Sequence, residues 1–310
     1  MWLKYGVDKD GILICIQDIP KGKTLLKCPY CHGELTAKKG QVKEHHFAHN
    51  QETCRPVAKR EFPTLPLYDN FNIYLSGKDL QQLKLLWQEY GIKNYPISSY
   101  LVSSGLIKAG ILKKNVYLKP IEYEFTNLGK IPVGALELTQ FNEVQSPLLL
   151  KKLLKLELVA KHALHKNAPD LSYRLTDLKL YCAQLQRILS SNLYFLEIQA
   201  DKEIIYKIGV TQRPVVQRVA EVKMDLLAHY QTVAIQVLGS WKHRGNIELY
   251  FKHRYRDFNY PIGSLTEYYK FNTDDIKIVM YDLQQMKPKV LSQEEINILN
   301  DKFSLTQIAV

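Results

Sequence analysis

Cys28-Pro29-Tyr30-Cys31 sets two thiols two residues apart, a spacing that lets one tight turn present both to a metal ion. Further donors follow at His46, His49 and Cys54. Two more ligands complete a tetrahedral zinc site, and the expected set is Cys28, Cys31, His49 and Cys54, with His46 the substitute for either late ligand. Four protein ligands close such a site, so its Zn²⁺ is expected to be structural. In small modules a structural zinc contributes on the order of 10–16 kcal/mol of apparent binding energy at neutral pH. A second set of reactive groups lies far downstream. Glu248 is an acid within the otherwise basic stretch 207–256, and Arg218 offers a rigid donor fork of the kind that grips phosphate. Phosphodiester hydrolysis needs charge stabilisation at phosphorus and help for the departing oxygen, and a carboxylate-bound Mg²⁺ (or Mn²⁺) can supply both.

The downstream groups need elements to hold them. Leu193–Ile198 and Ile204–Thr211 are β-rich runs separated by the polar turn Gln199–Glu203, which predicts an antiparallel hairpin. Pro214 opens a helix whose buried stripe is Val215, Val219, Val222 and Leu226. Arg218 lies about 60° from the centre of that stripe, so it can border a groove. After a strand-like Thr232–Leu238, Gly245-Asn246 is expected to cap a second helix, Ile247–Phe258, with Glu248 in its first turn, where the helix dipole favours an ionised carboxylate.

Tyr194, Lys207-Ile208-Gly209-Val210-Thr211, Arg218, Glu248 with His253, and Glu267-Tyr268-Tyr269, in that order, resemble the GIY-YIG nuclease superfamily, and more closely a phage-associated branch with a Lys-Ile-Gly-x-Thr second motif. The resemblance covers about a quarter of the chain and implies a metal-dependent endonuclease. It casts Tyr194 as the group that orients or deprotonates water, Lys207 as its charge partner or a phosphate ligand, Arg218 as a phosphate ligand and Glu248 as the Mg²⁺ ligand. His253 stands about 140° around the helix from Glu248, so it is assigned to proton transfer or positioning rather than to the same metal. The sequence departs from the pattern in two places: Asn192-Leu193 precedes Tyr194, and Lys207 fills the usual tyrosine slot, with Tyr206 one place earlier. Neighbours on a strand face opposite ways, so Tyr206 is no simple replacement, and the general base stays open.

Residues 10–60, with Cys-Pro-x-Cys, Gly33 and His46-Phe47-Ala48-His49, resemble the zinc-ribbon head of competence CoiA-like proteins. In the middle, Ser76 is expected to cap a helix with Leu80, Leu83, Leu86 and Trp87 on its apolar face. Ser98–Ile107 suggests another helix ending near Gly105, and Val116–Leu118 with Tyr123–Gly129 a hairpin. Helix, Gly-Leu-Ile and hairpin together resemble winged-helix DNA-binding domains. Lys108, Lys113, Lys114 and Arg213 are then the expected nucleic-acid contacts. Leu148–His165 and Leu171–Leu189 are long Leu/Lys-rich helices, and the tail reads as a strand-like Ile276–Tyr281 followed by a helix, Gln293–Phe303.

The whole is expected to be an α+β multidomain protein in three segments. Residues 1–60 form the zinc ribbon and 61–190 a mostly helical, winged-helix-like nucleic-acid-binding region. Residues 191–310 form a GIY-YIG α/β core with a small antiparallel sheet flanked by helices. The chain has 310 residues and a formal charge of +11, and the excess is shared equally between 1–60 and 61–190 while 191–310 is nearly neutral. Basic surface of this kind suits DNA, with RNA left open. No apolar run reaches membrane-span length and no signal-peptide core opens the chain, so no membrane partner is expected. Five cysteines, three of them clustered, suit a reducing cytoplasm and a metal better than a disulfide framework. No small-molecule cofactor is implied. The alternative function is a non-catalytic nucleic-acid-binding protein with a degenerate GIY-YIG core.

Overall fold

Small antiparallel sheets and the helices packed on them build a mixed α/β chain. The computed structural model describes residues 2–40, 44–59, 62–117 and 120–300. Its strands are β1 (Tyr5–Val7), β2 (Leu13–Cys15), β3 (Gly22–Lys27), β4 (Glu34–Lys38), β5 (His46–His49), β6 (Ile97–Ser98), β7 (Leu112–Asn115), β8 (Glu122–Phe125), β9 (Asn192–Ala200), β10 (Glu203–Thr211), β11 (Val233–Trp241) and β12 (Tyr268–Tyr269). Its helices are α1 (Arg55–Lys59), α2 (Gly77–Leu86), α3 (Ser104–Lys108), α4 (Asn127–Lys130), α5 (Leu138–His165), α6 (Leu171–Ser190), α7 (Val215–Leu227), α8 (Ile247–Arg254), α9 (Thr273–Gln284) and α10 (Gln293–Leu299). No helix among the described residues is long and apolar enough to cross a membrane.

The chain divides into two compact units. One joins Met1–Leu65 to Leu149–Gln186 and Ser292–Val310; the other joins Pro66–Leu148 to Arg187–Leu291. The segment 61–190 is therefore shared between them, the boundaries falling inside α5 and α6.

In the first unit the sheet runs β2-β1-β3-β4-β5. Leu35, Ala37 and Phe47 turn inward and join Tyr30, Phe62 and Leu180 of α6 in one core. The Tyr30 hydroxyl, buried with that core, donates to the Asp177 carboxylate on α6 at 2.7 Å, which satisfies a polar group that would otherwise be costly to bury.

In the second unit the larger sheet runs β11-β9-β10-β12. The expected hairpin is β9 and β10, paired antiparallel from Asn192↔Thr211 to Ala200↔Glu203. Alternation sends Tyr194, Leu196 and Ile198 to one face, where Val222 and Leu226 of α7 cover them. Leu193 and Phe195 go to the other face, under Ile247, Tyr250 and Phe251 of α8. A three-stranded sheet, β6-β8-β7, packs with α2 and α3 around Leu83, Ile97, Leu106 and Ile111.

Several elements differ from expectation. Ser98–Ile107 is no helix ending at Gly105: Ser103 caps α3 instead, its hydroxyl accepting from the Leu106 amide at 3.4 Å, so Gly105 lies inside the helix. The hairpin's first strand begins at Leu112, which pairs with Phe125, and Leu118 lies outside the described residues. Ile276–Tyr281 is helical, because the Asn272 side chain caps α9 by accepting from the Asp274 and Asp275 amides. Ile276, Val279, Met280 and Leu283 then fall on one buried face. Helix α5 starts at Leu138 rather than Leu148 and carries Pro147 within it. Helix α8 stops at Arg254, and the Asn246 amide caps nothing, donating instead to Gln145 at 2.8 Å and Asn142 at 3.1 Å. Phe303, the expected end of the last helix, lies outside the described residues.

Candidate functional site

The turn after β3 and the ends of β5 and α1 bring four donors together. Cys28 Sγ, Cys31 Sγ, His49 Nε2 and Cys54 Sγ lie within 4.8 Å of one another. Cys28 and Cys54 sulfurs are 3.9 Å apart, and Cys31 Sγ is 3.3 Å from His49 Nε2. Zinc–sulfur bonds of ~2.3 Å and zinc–nitrogen bonds of ~2.0 Å at tetrahedral angles give edges of about 3.8 Å and 3.5 Å, so the four donors fit a zinc ion. Burial pushes the Cys28 thiol up to about 12 and raises Cys54 as well. A coordinated metal reverses that, since a ligating thiol is deprotonated outright. Burial also lowers His49, which favours the neutral imidazole that a metal needs. His46 does not substitute for either late ligand. Phe47 and His49 share one face of β5, so His46 is on the other, where its ring lies tilted against Trp2 with centroids 4.1 Å apart and its Nδ1 meets the Glu44 carbonyl.

The second cluster lies along β10 where α7, α8 and the start of β12 meet it. Gly209 pairs with Tyr194 and Lys207 with Leu196 across β9 and β10, so Tyr194 and Lys207 project from the same face. Arg218 Nε donates to the Tyr194 hydroxyl at 3.3 Å, while its other arm holds Glu221 at 2.7 Å. Lys207 Nζ donates to Glu267 Oε2 at 3.0 Å and lies 4.6 Å from the centre of the Tyr268 ring. Lys252, one turn after Glu248 on α8, sits 3.0 Å from Glu248 Oε1 and 2.7 Å from Glu267 Oε1. Tyr206 faces away, stacked on Phe195 with its hydroxyl on Glu197.

The charges in this cluster shift one another. Burial opposes ionisation of Glu267, yet Lys207 and Lys252 hold its carboxyl down at about 2. Glu248 goes the other way: burial raises it, with Lys252 pulling against that and Glu267 adding to it. Burial lowers Lys207 despite its bond to Glu267. Burial would lower Lys252 too, but the two carboxylates outweigh it and raise it. Tyr194 is raised by burial, against the pull of the Arg218 hydrogen bond. Its phenol therefore keeps its proton at neutral pH, which suits orienting a water more than deprotonating one.

The expected site residues Tyr194, Lys207, Arg218 and Glu248 thus share one neighbourhood. His253 does not join them. Its Nε2 meets the Ile131 and Pro132 carbonyls at 3.0 and 3.1 Å, and its ring stacks on Phe71 at 4.8 Å, so its polar and ring contacts are made with those residues instead. Arg213 pairs with Glu221, and Lys113 with Glu124 at 3.8 Å. Lys108 and Lys114 are exposed.

Residues 17–56 match the family model of the competence protein CoiA, N-terminal domain. That segment contains all four metal donors. No curated protein and no solved structure matches the chain. The match covers the Cys/His cluster and leaves the second cluster to be read from its own chemistry. There the sequence reading passed over Lys252. Its position four residues after Glu248 was the available signal, because side chains at that spacing lie on one helix face.

Proposed function

We propose that the protein is a metal-dependent endonuclease of GIY-YIG type that hydrolyses phosphodiester bonds in DNA. The zinc-bearing head and the basic middle region would hold the nucleic acid. The observation that supports this reading most directly is the meeting of Tyr194, Lys207, Arg218 and Glu248, from two strands and two helices, at one place. Glu248 keeps 12% of its side chain exposed, so it is buried without being sealed. It is a hard oxygen donor of the kind Mg²⁺ takes, one or two carboxylates with waters completing the shell. Mg²⁺ or Mn²⁺ bound there would polarise the phosphate and stabilise the leaving oxygen. Arg218 would bind the phosphate through its guanidinium, Tyr194 would orient the attacking water through its hydroxyl, and Lys207 would add positive charge beside the reacting group.

The test is incubation of supercoiled plasmid with Mg²⁺ or Mn²⁺, beside folded Arg218→Ala and Glu248→Ala proteins. Nicking is expected from the wild type, with a loss of about 10²-fold or more in each variant. Cleavage that survives in both removes the site. One observation favours a second reading, a nucleic-acid-binding protein without catalysis: the Lys252 ammonium already lies against both Glu248 and Glu267. Salt-sensitive DNA binding with no cleavage under any divalent ion would select it.

A further inference from the structure

Glu267 holds an unusual position. One carboxylate spans two ammonium groups, Oε2 on Lys207 at 3.0 Å and Oε1 on Lys252 at 2.7 Å. The two lysines differ in access. The Lys207 side chain is 5% exposed, Lys252 27% and Glu267 39%, so the carboxylate stands on the open side of a buried amine. The backbone around Glu267 is fixed independently of that contact, because the Asn259 amide donates to the Thr266 carbonyl at 2.7 Å and the Tyr268 carbonyl at 3.1 Å. Rotation of the Glu267 side chain alone would therefore open the lysines without moving β12.

We propose that Lys207 and Lys252 form a seat for a phosphodiester group and that Glu267 is its internal occupant, displaced when the phosphate of a nucleic acid arrives. The inference rests on the nuclease reading for the source of that phosphate, and its chemistry is anion exchange. A buried ammonium stripped of its counter-ion is strongly unfavourable, so Lys207 needs an anion at every stage. A phosphate that arrives as the carboxylate leaves meets that need. The charge count agrees. Lys207, Lys252, Arg218 and Arg213 carry four positive charges against the three negative charges of Glu221, Glu248 and Glu267. With Glu267 turned out to solvent the remaining groups carry two net positive charges, and the one negative charge of a phosphodiester returns the cluster to the net charge it had before. Arg218 donates to the Tyr194 hydroxyl on the sheet face that also carries Lys207, which adds a third cationic donor on that face. An ion pair serving only to fasten β12 to β10 would make the opposite prediction, since removing the carboxylate would weaken the fold and attract no anion.

The test uses the zinc-loaded 310-residue protein, with inorganic phosphate as the probe in calorimetric titrations. Glu267→Gln keeps the shape of the side chain and removes its charge. The proposal expects it to bind phosphate about tenfold or more tightly than the wild type, and expects Lys252→Met added to it to abolish the gain. Unchanged affinity in folded Glu267→Gln, or a gain that survives Lys252→Met, overturns it. If Glu267→Gln does not fold, lysine ¹⁵Nζ resonances of the wild type decide: Lys207 and Lys252 signals that move on phosphate addition support the seat, and signals that stay fixed at saturating phosphate overturn it. Plasmid cleavage, assayed separately, keeps the two readings apart. A phosphate gain without cleavage retains the seat and removes the endonuclease, whereas cleavage without the gain does the reverse.

Discussion

Gly209 carries no side chain because the Tyr194 ring lies where one would go; a Cβ built there would come within 2.6 Å of the ring carbon that bears the hydroxyl. The glycine of the Lys-Ile-Gly motif thus sets the tyrosine, and through it the hydrogen bond from Arg218. Gly209→Ala is expected to cost about 1–3 kcal/mol of stability, as overpacking generally does, and to depress any nicking activity as far as Tyr194→Phe does. Thermal melts and the plasmid assay read the two effects. At this scale the sequence was informative wherever residue type and helical phase agreed, as for Arg218 beside its apolar stripe. At His253 they disagreed. Imidazole chemistry suggested proton transfer, but phase turned the ring toward Phe71 and gave the position near Glu248 to Lys252.

The elements that frame the cluster are held by a carboxylate remote from it in sequence. Asp282 of α9, its side chain 3% exposed, accepts from the Leu138 amide at the start of α5, from Arg254 Nε and from the Tyr255 hydroxyl, at 2.8, 2.8 and 2.7 Å. One acid therefore ties α9 to the end of α8 and to the first turn of α5. Asp282→Ala leaves the largely buried Arg254 without its carboxylate and is expected to cost about 3–5 kcal/mol in urea unfolding. The hairpin β9–β10 was legible because two short apolar, β-rich runs flank a polar turn, and helix α7 because its apolar residues recur with a period of 3.6. Helix α9 was not, since Ile276-Lys277-Ile278-Val279-Met280 is β-branched enough to suit a strand; the Asn272 cap and the burial of one helical face decide for helix.

For the whole molecule the metal site gives the clearest test. Purified protein is expected to carry one zinc per chain by elemental analysis, to lose it in Cys28→Ser and His49→Ala, and to keep it in His46→Ala, whose ring is occupied with Trp2. Without metal, burial pushes the Cys28 thiol up to about 12, so at neutral pH zinc must displace its proton. Apparent zinc affinity should therefore fall steadily as pH falls, and a competition titration with a zinc chelator across pH 6–8 measures the slope. The segment 17–56, which matches the CoiA N-terminal family model, spans these ligands, while the chemistry proposed for the other unit rests on its own side chains.

The sequence by itself determined which donors could meet through short chain segments: Cys28 with Cys31, the alternation of β9 and β10, and the stripe of α7. These follow from local geometry, where a fixed spacing leaves few conformations. Only the tertiary structure decided which charges face one another. Lys207 and Glu267 are 60 residues apart, and no spacing rule reaches across that distance. Their meeting depends on the pairing of β12 with β10, a contact chosen by burial of Tyr268 and Tyr269 rather than by any residue next to them in the chain.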